Sequence, residues 1–180
     1  MGLRERAVVG TAIDGLVVIS LKQVDDERGT IREYHRASDE SWGPWQQVNV
    51  TETNRGALRG LHGEDMTKLV GVIAGEAFGA YVDTRPSSPS RGAVVTLPLV
   101  LGTQVLVPAG VCNGFQALAD ATQYLYCFDA EWVPGMTGVA VHPLDPALGI
   151  EWPLPVDPQV RSQLSAKDAA QPTLAEVLRA

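Results

Sequence analysis

The sequence predicts an all-β protein, a jelly-roll barrel of antiparallel strands followed by a short C-terminal helix. Three observations carry this. Short β-branched or alternating runs recur through the middle of the chain, Gly- and Pro-rich clusters separate them, and no long helical periodicity intervenes. The first run is LVVISL at residues 16–21. The segment DERGTIREY follows, with a turn at Arg28-Gly29 and charges on either side. Residues 38–42 have the composition of a single helical turn. Then come four strands, at residues 70–73, 77–82, 93–97 and 104–107. They are separated by Ala74-Gly75, by the PSSPS cluster at 86–90, and by Leu101-Gly102. Pro108-Ala109-Gly110 ends the last of them. QYLYCF at 123–128 is an aromatic, alternating strand. The Pro-rich stretch 152–158 reads as an ordered connection across the barrel surface. Residues 173–179 form the helix, with Thr173 as cap and Leu174, Val177 and Leu178 as its apolar face. Two Gly-rich turns, at 71–75 and 108–115, fit a double-stranded β-helix, the barrel called a cupin, whose site lies inside its mouth.

Length and composition set the outer bounds. The 180 residues make one domain, 1–180, with no repeat, linker or shift of composition. The formal charge of -7 argues against a general nucleic-acid binder, which would carry a basic face, but allows a few clustered Arg residues to hold a diphosphate. No apolar run reaches the ~20 residues of a membrane span, and the N-terminus lacks the apolar core of a secretory signal, so no membrane partner and a cytoplasmic location are expected. In such a compartment Cys112 and Cys127 are expected as buried free thiols.

The chemistry concentrates in RGALRGLHGEDMTKLVGV, residues 55–72, where His62 lies between Arg59 and Lys68 on a Gly-rich strand. By itself a lone His is more often a surface or hydrogen-bonded core residue. Two cations converging on it imply an anionic ligand or a developing oxyanion, because neither is buried without a counter-charge. A metal is the first rival. It needs a second His nearby, and Gly63-Glu64-Asp65-Met66 and Val111-Cys112-Asn113-Gly114-Phe115 supply none, so neither metal nor cofactor is expected. Asp168, in SAKDAAQP, is either part of a charged loop or an orienting carboxylate for His62. Asp83 and Arg85 end a strand as a mouth-lining or a surface pair. Arg28 and Glu33 read as solvated hairpin charges. His35 and His142 sit in polar, exposed contexts without a role.

Taken together and in order, these motifs resemble the dTDP-4-dehydrorhamnose 3,5-epimerase family. Arg28-Gly29 with Glu33, then Gln47 and Asn49, the RGLH run, Lys68 in KLV and Asp83-Thr84-Arg85 carry the first half of the resemblance. The segment 108–115, the aromatic strand at Tyr124 and Tyr126, GIEWP at 149–153 and SAKDAA at 165–170 carry the second. The resemblance implies a homodimeric, metal-independent cupin that inverts carbons 3 and 5 of a dTDP-4-keto-6-deoxyhexose through enolates. On matching positions His62 would be the base, Asp168 its partner and Lys68 the stabiliser of the enolate oxygen. Arg28, Glu33, Gln47 and Arg59 would contact nucleotide and diphosphate, with Asn49, Asp83, Asn113 and Tyr126 as further substrate contacts. An apolar N-terminal segment, 7–17, is able to add a strand to a neighbouring copy.

The chain departs from the family pattern at three places. Aligned on Pro134, Trp132 stands where a catalytic Tyr is expected, and an indole N–H is a donor with no acid–base range. Asn113 replaces a His, and Thr30-Ile31 replace an aromatic pair. Tyr81, Tyr124 and Tyr126 are candidates to supply the missing acid. Three readings stay open: an epimerase of a keto-deoxysugar nucleotide, acting at one or two carbons; a repurposed barrel that cyclises or rearranges a non-nucleotide, polyketide-like substrate; and a binding protein without catalysis.

Overall fold

A computed structural model describes residues 2–39 and 42–180. The first half contains β1 (Gly2–Arg4), β2 (Ala7–Gly10), β3 (Val17–Ser20), β4 (Lys22–Asp26), β5 (Gly29–Glu33), β6 (Gln47–Thr53), β7 (Leu58–Glu64) and β8 (Lys68–Ala74). Then follow β9 (Ala77–Asp83), β10 (Val94–Leu99), β11 (Thr103–Val107), β12 (Val111–Ala117), β13 (Thr122–Phe128) and β14 (Gly138–Ala140). Two short helices close the chain, α1 (Ala166–Ala169) and α2 (Leu174–Arg179). The strands form a six-stranded sheet in the order β2-β3-β11-β8-β13-β6, a five-stranded sheet β10-β9-β12-β7-β14, and a separate three-stranded sheet β1-β4-β5.

The two large sheets face each other across one apolar core, as a cupin requires. The period-2 alternation of the strands sets their sidedness. On β8, Val70 and Val72 point into this core and Leu69 points out; on β13, Tyr124 points in and Cys127 out. Tyr81 and Phe115 complete the interior from the five-stranded sheet, and Phe115 stacks on Tyr124 with ring centroids 4.0 Å apart. The outer face of the five-stranded sheet is covered by Val141, Leu148 and Leu174, packed on Leu61, Ala80 and Val82. The outer face of the six-stranded sheet packs Ile19, Leu21 and Leu69 against Tyr34, Trp42 and Trp45.

The predicted strands are present with ends shifted by one or two residues: 16–21 is shorter, as Val17–Ser20, 93–97 is moved to Val94–Leu99, and the others are slightly extended. The helical turn expected at 38–42 appears as a 3-10 turn at Ala37–Asp39, and positions 40 and 41 lie outside the described residues. Helix α2 starts at the expected cap: the Thr173 hydroxyl accepts from the Glu176 amide, and Glu176 reaches back to the Thr173 amide. The 152–158 connection is pinned by Gln116, whose amide group donates to the Leu154 carbonyl at 2.9 Å and accepts from its N–H at 3.0 Å. Both cysteines are buried and free. His142 differs from expectation: it is half-buried, and its Nδ1 accepts from the Leu144 amide. No helix among the described residues is long and apolar enough to cross a membrane.

Candidate active site

One residue inserted in a strand determines which side chains enter the barrel mouth. Along β7 and β12, His62 pairs with Asn113 and Arg59 pairs with Phe115, with a register shift between them. Gly60 and Leu61 therefore face the single residue Gly114. Arg59 and His62 are three positions apart, so in an unbroken strand they would point to opposite faces. The bulge puts both on the inner face, and Glu64, two residues on, joins them. Leu61 is turned outward into the other cluster. The two backbones approach so closely that a Cβ on Gly60 would lie 2.5 Å from the Gly114 Cα and 2.9 Å from the Asn113 carbonyl oxygen. Gly60 also has φ +123, where side chains are strained.

The second component comes from the C-terminal part of the chain. Leu164 bridges to Leu58 at the start of β7. Ser165 then caps α1, its hydroxyl accepting from the Asp168 amide at 3.0 Å. This delivers Asp168 to His62, with Oδ1 2.7 Å from Nε2 across 106 positions of sequence. Burial alone would raise the Asp168 carboxyl. The hydrogen bond and charge of His62, the Ser165 cap and the Lys167 charge outweigh it and hold the group below its ordinary value. An ionised carboxylate only accepts, so in the neutral imidazole Nε2 carries the proton and Nδ1 is left as the nitrogen able to take one.

His62, half-buried, sits at the junction of a two-lobed cleft. One lobe, of about 350 Å³, is bordered by Asn49, Thr51, Arg59, Tyr126, Phe128, Ser165 and Asp168. The other, of about 310 Å³, is bordered by Gly135, Met136, Gly138, Val139, Ala140 and Gln171. His62, Glu64, Trp132 and Lys167 border both. Trp132 is held over the site by Gln47, whose Oε1 accepts from the Trp132 amide at 2.8 Å while its amide group donates to Asn49 Oδ1 at 3.1 Å. Tyr126 lies between Tyr124 and Phe128, at ring centroid distances of 4.9 and 5.7 Å. Burial pushes its phenol well above the ordinary range, only partly offset by the Arg59 charge, so it remains a donor. Tyr81 and Tyr124 are fully buried and border neither lobe.

The site thus brings together His62, Asp168, Arg59, Asn49, Tyr126 and Trp132, with Gln47 behind Trp132. Lys68 and Asn113 lie behind the wall: Nζ donates to Asn113 Oδ1 at 2.9 Å and to the His62 carbonyl at 3.3 Å, and it pairs with Glu64. The Glu64 carboxyl is raised by burial but lowered more by the charge and hydrogen bond of Lys68. Arg28 and Glu33 lie elsewhere, on the three-stranded sheet, bound to Asp26 and Arg36. Asp83 is also apart. Fully buried, it accepts from Arg85, Ser88 and Ser90 and organises its own turn, which holds its carboxyl well below the usual range against the effect of burial. Among the described residues no group of three or more His, Cys, Asp or Glu has the arrangement of a metal site.

Sequence reasoning missed Glu64, Lys167, Thr51 and Phe128. Glu64 and Lys167 carried a signal: Glu64 is two residues from His62 on a strand, and Lys167 adjoins Asp168. Thr51 and Phe128 come from pairing of β6 with β13, which puts Thr51 opposite Tyr124 and leaves no trace in spacing.

The comparisons agree with this architecture. Residues 10–176 match the family described as dTDP-4-dehydrorhamnose 3,5-epimerase. A dTDP-4-dehydrorhamnose 3,5-epimerase of Salmonella typhimurium is 35% identical over 182 residues, 95% of this chain and 97% of the relative. Among solved structures, the dTDP-6-deoxy-D-glucose-3,5-epimerase of Legionella pneumophila in complex with dTDP-4-keto-L-rhamnose superposes with a TM-score of 0.84. It is 34% identical, with 97% of both chains covered. A 3'-monoepimerase of Streptomyces bikiniensis in complex with dTDP-quinovose also gives 0.84, at 32% identity over 94% of this chain and 88% of that one.

The bulge yields a direct expectation. Gly60→Ala forces backbone apart at the point that orients Arg59 and His62, and should cost at least about 3 kcal/mol in urea unfolding. A variant of unchanged stability would show that the close approach of β7 and β12 is not required.

Proposed function

The chain belongs to the dTDP-4-dehydrorhamnose 3,5-epimerase family, and we propose that it inverts a carbon beside the ketone of a dTDP-4-keto-6-deoxyhexose with His62 as the base. The observation that carries this is the His62–Asp168 pair, 2.7 Å apart, inside a cleft that also holds the Tyr126 phenol. Asp168 fixes the proton on Nε2, and Nδ1 removes the proton alpha to the ketone. The charge that moves to the ketone oxygen is balanced by the cations around the site, with the Lys68 ammonium standing behind Glu64. Inversion then requires a proton from the opposite face. Trp132 cannot give it, because an indole N–H does not titrate in water. Tyr126 is the phenol that borders the same space, and burial keeps it protonated. Trp132 serves as a wall, held by Gln47.

Arg59 is the guanidinium at the cleft suited to a diphosphate, and Lys167 adds a second cation. Arg28 and Glu33 reach a nucleotide only from a neighbouring copy, so the reading includes a homodimer. The exposed, apolar β2, which forms an edge of the six-stranded sheet, is the segment available for it. The relatives act at one carbon or at two. For this chain the reading is inversion at carbon 3 at least, with the second inversion decided by experiment.

A second reading, rearrangement of a polyketide-like substrate, draws on Trp132 and on the position of Arg28 and Glu33 away from the cleft. Incubation with dTDP-4-keto-6-deoxyglucose in deuterated water separates the two. Deuterium should enter carbon 3, or carbons 3 and 5, with inversion. His62→Ala should abolish incorporation by at least about 10³-fold, whereas Tyr126→Phe should retain exchange but lose inversion. No incorporation by the folded wild-type protein, with no calorimetric binding of dTDP, would overturn the epimerase reading and leave the second. The homodimer is checked by sedimentation at micromolar concentration, where a monomer would refute it.

A further inference from the structure

Lys68 does not face the substrate space; Glu64 does. The Lys68 side chain is 4% exposed and borders neither lobe, whereas that of Glu64 is 21% exposed and borders both. The ammonium is enclosed by three acceptors, the His62 carbonyl, Asn113 Oδ1 and Glu64 Oε2. It has three N–H donors, so each already has a partner. Two of these partners are fixed, one by backbone and one by a 5%-exposed amide in the sheet. Glu64 is the partner with room to move, and it stands on the cleft side.

We propose that Glu64 is a positioning residue that works through Lys68, holding the ammonium neutralised while the cleft is empty and yielding one of its N–H groups to the substrate oxygen as negative charge develops. The inference rests on the epimerase reading. Its chemistry follows from the strengths of the competing acceptors. A neutral ketone oxygen is a weaker acceptor than a carboxylate and does not displace Glu64. An enolate oxygen carries comparable charge and does. The Lys68 contact is then made chiefly in the transition state, where it lowers the barrier instead of tightening substrate binding. The arrangement has a cost, because the Glu64 charge remains near the developing enolate and opposes it. No bond is made or broken at Glu64, and its carboxylate keeps its charge throughout.

The test is a double-mutant cycle read by deuterium incorporation at carbon 3 of dTDP-4-keto-6-deoxyglucose. Glu64→Gln keeps shape and a weaker acceptor but removes the competing charge; it should raise kcat on the order of fivefold with a smaller change in KM. Glu64→Asp restores a carboxylate and should return kcat toward the wild-type value. In a Lys68→Met background the direct repulsion between Glu64 and the enolate remains, so the Gln substitution should still raise kcat, but by a clearly smaller factor. A fall in kcat on Glu64→Gln, or the same factor in both backgrounds, would overturn the proposal. So would an unchanged kcat in a wild-type background that does exchange deuterium. A wild-type protein that exchanges none removes the epimerase premise, and the inference with it. The ammonium proton signals of Lys68 in the unsubstituted protein give a measurement that does not depend on folding of any variant. They should exchange with water far more slowly than those of exposed Lys167; equally fast exchange would contradict the enclosure.

Discussion

The contact between His62 and Asp168 is the interaction on which the site depends. It joins a strand in the middle of the barrel to a short helix near the C-terminus, 106 positions away. The rest of the local structure serves that meeting. The bulge at Gly60 and Leu61 turns the imidazole inward. The Leu58–Leu164 bridge and the Ser165 cap bring the carboxylate to it. Neither group is exceptional alone. Together they assign the ring proton to one nitrogen and leave the other free for chemistry.

The electrostatics of the site are local and do not follow the net charge of the chain. The protein carries -7 overall, yet Arg59 and Lys167 border its cleft and Lys68 lies just behind. The two carboxylates there each have a partner: Asp168 has His62, and Glu64 has Lys68. This is the condition for burying charge without a large desolvation penalty. It also gives the two carboxylates different tasks, one fixing a base and the other holding a cation.

Much of the fold was legible because strand periodicity and turn chemistry are local properties. The runs at 70–73, 77–82 and 123–128 lie within observed strands, and Thr173 caps the helix as its spacing suggests. The pairing of His62 with Asp168 was legible only through resemblance, since no spacing connects them. What failed to show was whatever depends on pairing between distant strands. Alternation on β7 taken alone would put Arg59 and His62 on opposite faces, and only the facing Gly114 reveals otherwise. Glu64 was passed over because attention to metal ligands asks for a second His, not for a counter-ion. Asp83 read as part of a mouth-lining or a surface pair because it ends a strand, but the hydroxyls that hold it, Ser88 and Ser90, come from the turn that follows.

The most direct test is of the proton arrangement itself. Nitrogen-15 chemical shifts of the His62 ring, in the neutral state of the folded protein, distinguish a protonated from an unprotonated nitrogen. The account predicts a proton on Nε2 shared with Asp168 and an unprotonated Nδ1, with the preference lost in Asp168→Ala. A neutral ring protonated at Nδ1, or one whose shifts do not respond to loss of Asp168, would contradict it.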